Sequence, residues 1–197
     1  MKFRAHPALL VVLVGVCAIS GCHGSGGGHK GRARARALKC RLQVSARRGT
    51  RAVVSYDDET GDSKMSAAIS SEVSAWNASA APVVLVPSKT NPAITFRAVS
   101  GKTTVSACSS SSPRVVTVQL STPKWDAAVG AKGSIKDPTG AIARELGRAL
   151  GLASGGTCPQ LTSPNTCPHR AQVPGRGETK VLEKLYASAT PSAAATP

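Results

Sequence analysis

Apolar positions along the chain fall into short blocks with two different periods. Arg51-Ala-Val-Val-Ser-Tyr56 is rich in β-branched residues and reads as a strand closed by Asp57-Asp58. Over residues 63–78 the apolar positions Met65, Ala68, Ile69, Val73 and Trp76 recur at helical spacing. That spacing predicts an amphipathic helix with Trp76 as a core anchor. Residues 83–86, between Pro82 and Pro87, form a continuous apolar strand, and residues 94–99 form a second, with Ile94, Phe96 and Ala98 on one side. A third strand is expected over 115–120, bounded by Pro113 and Pro123. Residues 124–136 show no clear period.

The next helix announces itself by its ends. Asp137-Pro138 supplies an N-cap and a proline at the first helical position, and Gly151 is suited to a left-handed C-cap. Between them Ile142, Leu146, Ala149 and Leu150 make the buried stripe, with Arg144 and Arg148 on another face. Residues 178–187, carrying Val181, Leu182, Leu185 and Tyr186, read as a terminal helix. The mixture predicts an α+β domain over 51–187, followed by a tail of alanine, threonine, serine and proline over 188–197.

The N-terminal segment belongs to a different class. Lys2 and Arg4 precede an apolar run over 8–19, which suits a secretory signal and is short for a membrane span. The run ends Ile19-Ser20-Gly21-Cys22, similar to a bacterial lipoprotein signal, so residues 1–21 are expected to be removed and Cys22 acylated. An ordinary export signal would leave Cys22 a free thiol. Both readings place the domain outside the cytoplasm, anchored to the outer face of the cell membrane or secreted. Residues 22–50 are expected to form a tether, glycine-rich at first and then basic.

Charge is concentrated in that tether. The formal net charge is +15, and Lys30, Arg32, Arg34, Arg36, Lys39, Arg41, Arg47, Arg48 and Arg51 follow one another without an acid between them. Beside a lipid anchor such an arm suits anionic headgroups or acidic envelope polymers; it also suits a solvated, self-repelling linker. The absence of aromatic residues from the run argues against nucleic acid as partner. With Cys17 in the signal and Cys22 under lipid, Cys40, Cys108, Cys158 and Cys167 remain, an even number fit for an oxidising compartment. Cys158 and Cys167 enclose a short loop and are expected to pair, which leaves Cys40 and Cys108 as a candidate second pair. A zinc site of four cysteines would want a C-x-x-C spacing that the chain lacks.

The most specific stretch is Ala143-Arg-Glu-Leu-Gly-Arg-Ala-Leu-Gly-Leu-Ala-Ser154. In H-E-x-x-H, two histidines at i and i+4 share a helix face and hold zinc, with the glutamate over a metal-bound water. Here Arg144, Glu145 and Arg148 occupy those three positions. Together with Tyr56-Asp57-Asp58, Ala75-Trp76-Asn77 and the cysteine loop over 158–167, the stretch resembles snapalysin, a small secreted bacterial zinc metalloprotease of the zincin class. The resemblance covers about residues 51–187. It implies a zincin-like mixed sheet packed on an active-site-type helix, a disulfide across the Cys158–Cys167 loop, and peptide hydrolysis by zinc-bound water.

The departures fall in the chemistry. The ligand positions hold Arg144, Arg148 and Ser154, and Leu161-Thr162-Ser163 stands where the family has leucine-methionine-serine. Guanidinium is permanently protonated and has no lone pair for a metal. The candidate domain holds one histidine, His169, and the acidic cluster Asp57, Asp58, Glu59 and Asp62 has no EF-hand spacing. No metal or other cofactor is therefore expected, and zinc only if unrecognised ligands exist. Glu145, the retained general-base position, can pair with Arg148 and Arg144 on the helix surface. Alternatively Arg144 and Arg148 receive an anion, such as an acidic peptide or polymer. The expectation is a catalytically degenerate, exported protein acting as a binding or envelope-surface module. An active metalloendopeptidase, or a basic arm binding anionic envelope polymers, are the alternatives.

Overall fold

The computed structural model describes residues 41–105, 115–126, 137–154, 160–161 and 172–191. The signal segment, Cys22, Cys40, Cys108, Cys158, Cys167, Thr162, Ser163 and His169 lie outside them, so the expected lipid site and disulfides do too.

The described chain is a mixed α+β domain. In order it runs β1 (Ala46–Arg48), β2 (Arg51–Glu59), α1 (Ser63–Ala78), β3 (Val83–Pro87), β4 (Ile94–Val99), β5 (Thr104–Val105), β6 (Val116–Ser121), α2 (Thr122–Asp126), α3 (Pro138–Ala149) and α4 (Arg176–Tyr186). Strands β2, β3, β4 and β6 are parallel; β5 runs antiparallel beside β6, and β1 antiparallel beside β2. Alternate residues of β2 serve its two edges. Ala52 N–H bonds Pro82 O and Tyr56 O accepts from Ser88 N–H on the β3 side. Val53 O and Ser55 O accept from Ser45 N–H and Ala93 N–H on the other. The β1 hairpin and β4 therefore share one edge of β2 in succession, giving the order β3-β2-β4-β6-β5 with β1 set below β4.

The short link from β3 to β4 has to pass across β2, and the buried Ser55 fixes it. Its Oγ donates to Asn91 O at 3.4 Å and accepts from Ala93 N–H at 3.1 Å. Asn91 takes the left-handed conformation, at φ 50°, that this tight passage needs. Strand β2 extends through Glu59 and does not stop at the two aspartates. The register explains why: Asp57, Asp58 and Glu59 pair with Thr95, Phe96 and Arg97 of β4, and the ladder outweighs the low strand preference of aspartate. Beyond it Asp58 holds Thr60, and the Asp62 carboxylate caps α1 by accepting from Lys64 and Met65 N–H. The acidic cluster is thus the hardware of a strand-to-helix turn.

The domain starts earlier than residue 51. Leu42 and Val44 are buried in the core, and β1 pairs within the stretch expected to be tether. Alternating apolar residues among the arginines, Leu42 and Val44, are what tie this stretch down. Two of the arginines are also structural. Arg47 donates to Tyr186 O, Ala187 O and Ala189 O at the end of α4, and Arg51 to Asn77 O, Ala81 O and Val83 O at the end of α1. Each places a permanent positive charge where a helix dipole is negative. The tail is shortened in turn, because Ala189 is buried.

One core joins these layers. Trp76, Met65 and Ile69 of α1, Ile142 and Leu146 of α3, and Phe96, Val118 and Leu120 of the sheet are all buried. Tyr186 closes it: its hydroxyl accepts from Leu42 N–H and donates to Leu150 O, each at 3.2 Å. The outer edge of β3 is covered by side chains. Asn77 exchanges two 2.8 Å bonds with the backbone of Leu85, Arg51 takes Val83 O, and Pro87 has no N–H to offer. This removes a free edge on which another strand could add.

Replacing Asn77 by Ala would leave the N–H and C=O of the buried Leu85 unpaired. We expect a loss of about 1–3 kcal/mol, read as a lower urea midpoint at unchanged m-value, with more aggregation on refolding.

Candidate functional site

Helix α3 is held at its head by one carboxylate. Asp137 Oδ1 accepts from Gly140 N–H at 2.9 Å and from Thr139 Oγ1 at 3.0 Å. The carboxylate folds so closely over Gly140 that a Cβ there would collide with it. At the other end Gly151 N–H bonds Arg148 O and Leu152 N–H bonds Gly147 O, the paired closure of a Schellman motif, with Gly151 at φ 101°. The expected stripe of Ile142, Leu146, Ala149 and Leu150 is fully inside.

Gly147 is required by packing. A Cβ at this position would run into the buried side chain of Leu161 and lie 3.3 Å from Leu152 Cδ1. The segment after α3 thereby passes directly against the helix at the turn that carries Glu145 and Arg148. Nothing in helical periodicity requires a glycine here; the requirement comes from a segment outside the helix.

The three charged residues of the helix, Arg144, Glu145 and Arg148, act as a unit. Glu145 is only 3% exposed, and its carboxylate is divided between two guanidiniums. Arg144 Nη1 donates to Oε1 at 2.9 Å and Arg148 Nη1 to Oε2 at 2.7 Å. The arginine side chains keep 20% and 29% of their surface in solvent. Each carboxylate oxygen thus has a charge-assisted partner, which a buried anion needs. The Nε of Arg144 is buried with no hydrogen-bond partner. Ser154 lies exposed in the bend after the helix.

This donor set does not suit a zinc ion. The positions of the two helical ligands present N–H groups and positive charge, and both are turned onto Glu145. Among the described residues no group of three His, Cys, Asp or Glu side chains converges. What the arrangement can do chemically is offer the remaining guanidinium donors to an anion at the partly open face of α3.

Glu72 is a residue that sequence reasoning passed over. It lies on α1, is 1% exposed, and neither carboxylate oxygen has a hydrogen-bond partner. The signal was present in the spacing: positions 65, 69, 72 and 76 follow one helical stripe, and an acid occupies the third of them.

No family model matches the chain, and no curated protein matches it.

Substituting Ala at Gly147 should cost about 1–3 kcal/mol through overpacking against Leu161. The Gly147→Ala, Leu161→Ala pair should lose less than the sum of the two single changes in denaturant melts, because each relieves the other. Arg148→Ala should destabilise by about 1.5–3 kcal/mol, the range for a lost bond to a charged group, toward its lower end because Arg148 is partly solvated. Lys at this position should restore only part of it, since an ammonium lacks the planar fork.

Proposed function

We propose that this chain is an exported, lipid-anchored protein related to the snapalysin metalloproteases, in which the zinc site has been replaced and the arginine-bearing face of α3 binds an anionic ligand at the cell envelope. The observation that carries this reading is the Arg144–Glu145–Arg148 cluster, with both guanidiniums on the buried carboxylate. A carboxylate so held cannot serve freely as a general base, and a pair of guanidiniums cannot hold a dication.

Several features favour a relationship over coincidence. The helix keeps its Asp137-Pro138 start, its Gly147 and its Gly151 closure, and it sits in a mixed α+β domain beside a mixed sheet. Leu161 of Leu161-Thr162-Ser163 lies against that helix, as a segment below a former metal would. Asn77, in the Ala75-Trp76-Asn77 resemblance, covers the edge of β3.

The ligand class follows from the donors. Two partly exposed guanidiniums one turn apart suit a carboxylate-bearing peptide or polymer through the donors not committed to Glu145. The lipid at Cys22 and the arm would keep the domain near the membrane. Arg47 and Arg51 are occupied by helix ends, which leaves the arm Arg41 and the exposed Arg48, together with Lys30, Arg32, Arg34, Arg36 and Lys39 outside the described residues, for anionic headgroups. Among the described residues no helix is long and apolar enough to cross a membrane.

Elemental analysis of the purified protein should find substoichiometric zinc, with no cleavage of an unfolded protein substrate. Stoichiometric zinc with proteolysis would establish the active-enzyme alternative and end this proposal. The combined change Arg144→His, Arg148→His and Ser154→Asp should create zinc binding measurable by titration; a folded triple variant that takes up no zinc would show that these are not the ancestral ligand positions.

A further inference from the structure

The second buried acid points to a different device. Glu72 Oε1 and Oε2 are both buried without a partner, and one turn along α1 the Nε1 of Trp76 is buried and unpartnered as well. Helix α1 packs on α3 and on β3. Strand β3, Val83–Pro87, has no titratable side chain. On α3 the guanidiniums of Arg144 and Arg148 are both turned to Glu145, and the charge that reaches Glu72 is the like charge of Asp137 at the helix head. Along α1 itself the one basic residue, Lys64, is exposed, two turns before Glu72. Among the described residues, then, no cation answers this carboxyl.

We propose that Glu72 is a proton-operated latch between α1 and α3: protonated, it packs as a neutral group where the two helices meet, and ionised, it is repelled by Asp137 and loosens the first turn of α3. The chemistry is a simple proton exchange with solvent at one carboxyl oxygen. A neutral carboxyl tolerates this dry setting, whereas a carboxylate without donors does not.

Burial first, and the Asp137 charge second, push the group up from 4.5 to about 8. The direction of linkage follows. An acid raised in the folded state gives its full stabilisation below the unfolded value, and loses it as pH rises, until the folded group itself ionises near 8. Acidification therefore tightens the helix that carries the Arg144–Glu145–Arg148 cluster. Asp137 has opposed duties in this arrangement, since its carboxylate caps α3 while its charge disfavours ionised Glu72.

The test uses the full chain with Trp125→Phe, so that of its two tryptophans only Trp76 reports. Trp76 emission should titrate with a midpoint near 8. The transition should vanish in Glu72→Gln and move to lower pH in Asp137→Asn, which removes the charge and keeps a capping side chain. Hydrogen exchange at the Gly140 and Ala141 amides, corrected for intrinsic rates, should report an opening constant that rises by up to about tenfold per pH unit between 4.5 and 8 and then levels. That slope should be absent from Glu72→Gln, or from Glu72→Met should the amide variant fail to fold. A midpoint near the ordinary carboxyl value, or an exchange profile that neither substitution alters, would overturn the proposal.

Discussion

A carboxylate that is almost wholly removed from water must be neutralised where it stands, and at Glu145 two guanidiniums do so. That constraint shapes the face of α3. Arg144 and Arg148 are fixed by it one turn apart, each with an Nη1 committed inward, and the Nε of Arg144 is buried as well. A hydrophobic side chain at 145 would leave two partly buried cations facing each other, and a histidine at either arginine position would leave the acid half compensated. The cluster is mutually dependent, so its members are expected to be lost or kept together.

The helix that carries the cluster is over-determined by its surroundings. Asp137 closes its head, the Schellman bonds close its tail, Leu161 lies on Gly147, and Tyr186 reaches Leu150 O from the last helix. The same hydroxyl accepts from Leu42 N–H, so the first and last described segments meet at the end of α3. Arginine is used in one further way here, as a cap. Arg47 and Arg51 hold the carbonyls at the ends of α4 and α1, so positive charge that looks like an electrostatic arm in the sequence is partly internal architecture. The positive charge free of helix ends is correspondingly smaller than the net charge of +15 suggests.

Much of the element plan was legible. The period of α1, the caps of α3 and the apolar runs of β3 and β4 each carry a local signal, and the observed spans follow it closely. The exceptions are instructive. Strand β2 overruns two aspartates because β4 supplies a ladder for them, and β1 forms among arginines because Leu42 and Val44 find a core. Both depend on partners distant in sequence, which no local pattern contains. The pairing of Glu145 with Arg148 was open to sequence reasoning as a helical i, i+3 contact, but its burial was not.

The sequence by itself determined the longer elements, β2, α1, β3, β4, β6, α3 and α4, the ends of α3, and the unfitness of Arg144 and Arg148 as metal ligands, because propensity, capping and protonation are properties of residues and their near neighbours; the short β1, β5 and α2 carry no such local signal. Only the tertiary structure decided which charges are spent inside. Burial turned Glu145 into the centre of an ion cluster, left the Glu72 carboxyl without a hydrogen-bond partner among the described residues, and sent Arg47 and Arg51 to helix ends. Solvent exclusion and the approach of groups far apart in the chain set those outcomes, and both arise only when the layers pack.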